Sequence, residues 1–211
     1  MSRTAILLLA WVVLLAASLA LSVLAAQHDT LPGDTSIMSW AQDRAFPGER
    51  FSDIVRAVTG TEVVVGTGLA IAVVLALLGE QRAAITLAAG IALLPVLQAG
   101  VKELVDRPRP MEPIVDLRAG FDSPSFPSGH VMGPTLLYGF LLYLSFRSGL
   151  PSWLRAAAGV CSAFVLVFAG PANVWLGVHW PSDVLGGWAW ALVLLLPPLI
   201  VMEARRARPL A

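Results

Sequence analysis

Three short polar stretches interrupt an otherwise apolar chain: Lys102-Glu-Leu-Val-Asp-Arg-Pro-Arg-Pro110, Pro127-Ser-Gly-His130 and His179-Trp-Pro-Ser-Asp183. The first carries the only lysine of the protein beside Arg107 and Arg109; the other thirteen basic residues are all arginine. Arginine offers a planar fork and lysine a compact point charge, so this stretch can hold phosphate oxygens. It can equally form a basic lip against lipid headgroups. The second places Ser128, Gly129 and His130 where an apolar run begins. A helix starting there aims free N–H groups and the positive end of its dipole at an anion. Gly129 permits close backbone approach, and the Ser128 hydroxyl adds a donor or a cap. Alone, a histidine in that position is more often a capping or interfacial residue. The third stretch spaces His179 and Asp183 four apart, and Pro181 suits a first helical turn, so the two side chains share a side. A carboxylate on one imidazole nitrogen fixes the tautomer and leaves the other free to attack or to accept a proton. Two of the three histidines fall in these stretches. They could ligate zinc with Asp183, but the neighbouring cations would repel a metal ion, and an anion suits the same residues better.

Composition dictates what kind of scaffold holds these residues. The 211 residues are 57% hydrophobic and 13% charged, with a mean hydropathy of +0.76, where a soluble domain carries about 25% charge. A formal net charge of zero gives no basic excess for nucleic acid. One cysteine, Cys161, excludes an internal disulfide and a Cys-rich metal site. A membrane span needs about 20 mostly apolar residues, and six stretches come close: 4–26, 61–79, 83–101, 130–147, 155–171 and 184–202. Their continuous apolar runs differ from the alternation of an outer-membrane barrel. The expected fold is therefore all-α: a six-transmembrane-helix bundle, one domain over 1–211. The first stretch has an apolar core longer than that of a usual signal peptide and is expected to remain as a span.

Six spans put both termini on one side, with the loops near 80–82 and 147–155. That side has seven basic residues (Arg3, Arg82, Arg147, Arg155, Arg205, Arg206, Arg208) and two acidic ones, a net +5. The loops near 27–60, 102–129 and 172–183 hold seven basic and twelve acidic residues, a net −5, and all three polar stretches. Basic residues packed into very short loops mark the cytoplasmic side, so the polar stretches are expected at the extracytoplasmic helix ends. In the first outer loop Phe51, Ile54, Val55 and Val58 recur at helical spacing, as in a short helix lying in the interface or capping the bundle. Trp11, Trp40, Trp153, Trp175 and Trp180 are expected as interfacial anchors.

Taken together, the three stretches resemble the type 2 phosphatidic acid phosphatase superfamily, which carries KxxxxxxRP, PSGH and SRxxxxxHxxxD in that order. Lys102 to Arg109-Pro110 matches the first, Pro127 to His130 the second, and His179 with Asp183 the end of the third. The resemblance implies metal-independent, cofactor-free hydrolysis of a phosphomonoester or diphosphate through a phosphohistidine. His179 would attack phosphorus, Asp183 would hold its ring, and His130 would protonate the leaving oxygen. Lys102, Arg109, Ser128 and the Gly129 N–H would hold the phosphate oxygens. The implied substrate is a lipid phosphate in the cytoplasmic membrane: undecaprenyl diphosphate or another polyprenyl diphosphate, phosphatidic acid, or phosphatidylglycerophosphate.

One departure qualifies the resemblance. Where the superfamily has Ser-Arg, this chain has Ala172 and Asn173. Losing a charged hydrogen bond costs about 1.5–3 kcal/mol, roughly 10- to 150-fold. Asn173 can donate a neutral hydrogen bond, and Arg107 or Arg118 are candidate substitutes. The alternative is a catalytically impaired relative that binds phosphorylated lipid or supports a partner protein.

Overall fold

A computed structural model describes residues 3–45, 47–121, 123–147 and 149–206; Arg208, counted above among the cytoplasmic charges, lies outside them. The described residues form helices only: α1 (Arg3–Gln27), α2 (Asp34–Gln42), α3 (Glu49–Thr59), α4 (Thr61–Leu77), α5 (Gln81–Val105), α6 (Gly129–Arg147), α7 (Ser152–Trp175) and α8 (Pro181–Arg206).

The lengths follow from continuous apolar runs that only turn residues stop. Gly79, at φ 83°, closes the α4–α5 turn. Four helices are long and apolar enough to cross a membrane: Thr4–Gln27, Gln81–Val105, Ser152–Trp175 and Pro181–Ala204. The pair α3 and α4, bent by 53°, makes a fifth if read as one broken span. The protein is thus a multi-pass, all-helical membrane protein, with four or five helices of that length and apolarity where the sequence suggested six spans. The remaining candidate is α6, and its position explains its more polar sequence. Val131, Met132, Leu136, Leu137, Phe140 and Leu144 are all buried against α4, α5, α7 and α8. Protein rather than lipid surrounds α6, so it tolerates Gly133, Pro134 and Thr135. The outer helices show the converse: Val13, Val73, Leu77, Ile85, Val96 and Val160 are each more than half exposed. In water such a surface would aggregate; hydrocarbon covers it.

α1 packs on α8 through two indole hydrogen bonds, Trp11 Nε1 to Val193 O at 2.9 Å and Trp190 Nε1 to Ser22 Oγ at 3.0 Å. The segment between α1 and α4 is more ordered than its sequence announces. It contains the expected amphipathic helix α3 and also α2. Phe51 of α3 meets Phe164 and Phe168 of α7 edge-on and Val55 is buried, while Ile54 and Val58 remain exposed. Two tryptophans depart from expectation. Trp40 and Trp153 are exposed as anchors should be, but Trp175 and Trp180 are buried. Their N–H groups donate inward, to Arg44 O at 3.0 Å and Pro108 O at 3.4 Å, because they wall the polar end of the bundle.

Candidate active site

The C-terminal ends of α5 and α7 and the first turns of α6 and α8 meet at one end of the bundle, and the three polar stretches come together there. Gly177 makes the α7–α8 turn possible. Its φ is 75°, and a Cβ would lie 2.4 Å from the backbone oxygen of Asp116, so only glycine fits. The turn delivers His179 to a nearly sealed position, 1% exposed.

Arg109 Nη1 lies 3.2 Å from His179 Nε2 and donates to Val178 O at 2.6 Å. A guanidinium can only donate, so Nε2 accepts and the imidazole proton sits on Nδ1. That nitrogen faces Asp183 Oδ2 at 3.5 Å and has no nearer partner; the pair is aligned without a closed hydrogen bond. Oδ2 itself accepts from Trp180 N at 2.8 Å and from Ser125 Oγ. Burial pushes the His179 imidazole down to about 3; the charges of Arg109 and Lys102 push the same way, against Asp183. At neutral pH His179 is a neutral base with its lone pair on Nε2.

Around this pair the remaining predicted residues separate into two groups. Lys102 is buried and donates to Pro124 O. Arg109 also donates through Nε to Ser123 O at 2.7 Å, and its guanidinium lies 4.7 Å from the Phe121 ring centre. Ser128 is fully buried; its N–H donates to Asp183 O at 3.1 Å, fastening α6 to α8, and its hydroxyl has no partner. Gly129 opens α6, and His130 follows in the same turn. The charges of Arg56, Arg109 and Lys102 all act on His130. A shallow depression of about 470 Å³ opens beside Arg109, lined also by Phe121, Ser123 and Pro124.

The expected substitutes for the missing arginine are engaged elsewhere. Arg107 is 1% exposed. Its Nη1 donates to Asp183 Oδ1 and Ser182 Oγ, and its Nη2 to Asp34 Oδ2, all at 2.7 Å. Arg118 lies over Trp175, 4.0 Å from the ring centre, and pairs with Asp116 at 3.0 Å. Asn173 is fully buried; its amide donates to Ala169 O at 2.8 Å, one turn back in α7, and its Oδ1 is unpartnered.

Residues 83–207, which include all three polar stretches, match the PAP2 superfamily. The chain belongs to the PAP2 superfamily. Phosphatidylglycerophosphatase B of Bacillus subtilis (strain 168) is 36% identical over 105 residues, 47% of this chain and 48% of the relative, so the match spans about half of that protein. The crystal structure of the first transmembrane PAP2 type phosphatidylglycerolphosphate phosphatase from Bacillus subtilis shares the fold, with a TM-score of 0.62 at 19% identity over 100% of both chains. The PAP2 match begins within α5, so α1 to α4 precede it.

Sequence reasoning missed the groups that brace the site from a distance. Asp34, at the start of α2, accepts from Arg107, from Ser182 N at 2.9 Å and from Ser182 Oγ at 2.7 Å. Ser125 holds Asp183. Asp34 and Ser182 are 148 residues apart, and no local spacing signals such a pairing; the one available hint was an acidic residue at a helix start.

Proposed function

We propose that this protein is a lipid phosphatase, working on the outer face of the cytoplasmic membrane, that hydrolyses a phosphomonoester or diphosphate through a phosphohistidine. The observation that carries the reading is the neutral His179, with Asp183 behind Nδ1 and Arg109 at Nε2. In this reading the incoming phosphate draws Arg109 off Nε2. The freed lone pair attacks phosphorus, the bond to the leaving oxygen breaks, and His130, which takes up a proton as the substrate's negative charge offsets Arg56, Arg109 and Lys102, gives that oxygen its proton. The Nδ1 proton stays facing Asp183, which offsets the positive charge on the phosphorylated ring. Water activated by the now unprotonated His130 then attacks phosphorus, releasing phosphate and restoring both histidines. Lys102, Arg109, the Ser128 hydroxyl and the Gly129 N–H receive the charge that builds on the equatorial oxygens. No step uses a metal ion.

Residues 1–211 act in this reading as a single membrane-embedded domain with α6 as a sixth crossing, sheathed by its neighbours. The name of the Bacillus relative supports phosphatidylglycerophosphate as substrate; undecaprenyl diphosphate and phosphatidic acid complete the set to be tried. Asn173, turned back on its own helix, favours the second reading, an impaired member that only binds phosphorylated lipid. Phosphate release from those three lipids by detergent-purified protein, with and without chelator and beside His179→Ala, separates the two. Release that survives chelation and disappears in the variant is expected; tight lipid binding with no release from any substrate would leave the second reading standing.

A further inference from the structure

The superfamily's third-motif arginine is absent, yet a different arginine lies near the site on a helix outside the PAP2 match that packs against α6. Arg56 lies in α3. Its Nη2 donates to Gly120 O at 2.6 Å, and Gly120 precedes Phe121, the ring against which Arg109 rests. Its Nη1 is buried and has no hydrogen-bond partner. A buried donor on a charged group is costly to leave unmade. Asp53, three residues earlier, lends Arg56 a partial counter-charge, but the Nη1 donor remains open. Of the cations whose charges act on His130, Arg56 acts most strongly, ahead of Arg109 and Lys102. Arg109 and Lys102 act on His179 as well.

α3 packs against α6, the helix that carries His130, which places Arg56 on the side of the proton donor, where the leaving group departs in the proposed mechanism. Ile54 and Val58, two positions to either side of Arg56, are 56% and 45% exposed and share the opposite face of α3. The helix thus turns an apolar face toward the lipid, where a substrate's hydrocarbon tail must stay, and its arginine with the buried Nη1 the other way. We infer that Arg56 is a specificity residue that binds a second phosphate, carried by the leaving group of the lipid substrate. This deepens the phosphatase reading and rests on it. The substrate class is then a lipid whose leaving group is itself anionic, either a polyprenyl diphosphate, with the phosphates adjacent, or phosphatidylglycerophosphate, with a glycerol between them. Phosphatidic acid, whose leaving group is a neutral diacylglycerol, would leave Nη1 unused.

The test compares wild type, Arg56→Gln and Arg56→Glu on all three lipids, reading the ratio of kcat/KM for each two-phosphate lipid to that for phosphatidic acid. The ratio cancels the amount of active enzyme, so partial misfolding of a variant does not move it. For at least one two-phosphate lipid it should fall about 10-fold or more in Arg56→Gln, as expected for one charged hydrogen bond, and further in Arg56→Glu. Which lipid responds tells the adjacent from the spaced arrangement. A ratio unchanged for both lipids, whether activity is retained or lost uniformly, overturns the inference. Binding of non-hydrolysable lipid bisphosphonate and lipid monophosphonate is measured in parallel. Selective weakening of the bisphosphonate in Arg56→Gln is expected even if the protein turns nothing over, which keeps a failure of the phosphatase reading distinct from a failure of the role of Arg56. Equal affinities for both ligands in wild type and variant would overturn that role.

Discussion

At the residue scale the site depends on keeping one imidazole neutral. An ordinary histidine titrates near 6.5, whereas burial holds His179 at about 3. Between those two values the unfolded chain binds a proton there that the folded chain does not. The contribution of this group to stability is therefore complete above pH 6.5 and is lost as the pH falls toward 3. In spectra of protein labelled with ¹⁵N-histidine, the signal that disappears in His179→Gln should report a neutral ring protonated on Nδ1 at pH 5.5. An imidazolium signal from that residue at pH 5.5 would contradict the assignment. Much of this was legible in sequence, because His179 and Asp183 lie within one helical turn and Lys102 to Arg109 within one chain segment. The role of Arg107 was not. Its type and its place beside Arg109 suggested an anion ligand, and only the arrival of Asp34 from α2 and Asp183 from α8 makes it a buried tie.

That tie belongs to the scale of elements. Arg107 joins α2, the segment after α5 and the first turn of α8 through two ion pairs whose side chains are all but sealed from solvent. Removing one partner from such a cluster strands buried charge and typically costs about 3–5 kcal/mol. Arg118 is partly exposed and its partner Asp116 largely so, and a surface pair contributes about 0–1 kcal/mol. Thermal unfolding in detergent should therefore show Arg107→Gln strongly destabilised and Arg118→Gln close to wild type; equal shifts would mean that the tie does not hold these elements. Helix existence was readable from apolar runs, and α3 from its periodicity. The same reasoning grouped α6 with the other spans because it could not see that α6 is sheathed by protein. It misassigned Trp175 and Trp180 because an indole at a helix end looks alike whether it meets lipid or a buried loop.

Across the whole molecule the charges separate. The helix ends that carry the site bear a net −5 around a compact basic group, and the opposite ends a net +5 by sequence. A cavity of about 700 Å³ lined by Gly79, Glu80, Gln81, Arg82, Pro198 and Met202 lies at that opposite end, about 36 Å along α5 at 1.5 Å per residue, and includes none of the predicted site residues. In the proposed orientation, with the basic ends in the cytoplasm, an impermeant maleimide applied to intact cells should label Glu112→Cys, and not Gln81→Cys, in a Cys161→Ser background. The reverse pattern would turn the site inward. The central claim remains the covalent one, and rapid quenching tests it most directly. When the protein is mixed with lipid substrate labelled with ³²P in its terminal phosphate and quenched in alkali, peptide mapping should find acid-labile phosphate on His179, absent from His179→Ala. Turnover by wild type with no trapped phosphate, or with phosphate on any other residue, would contradict the account.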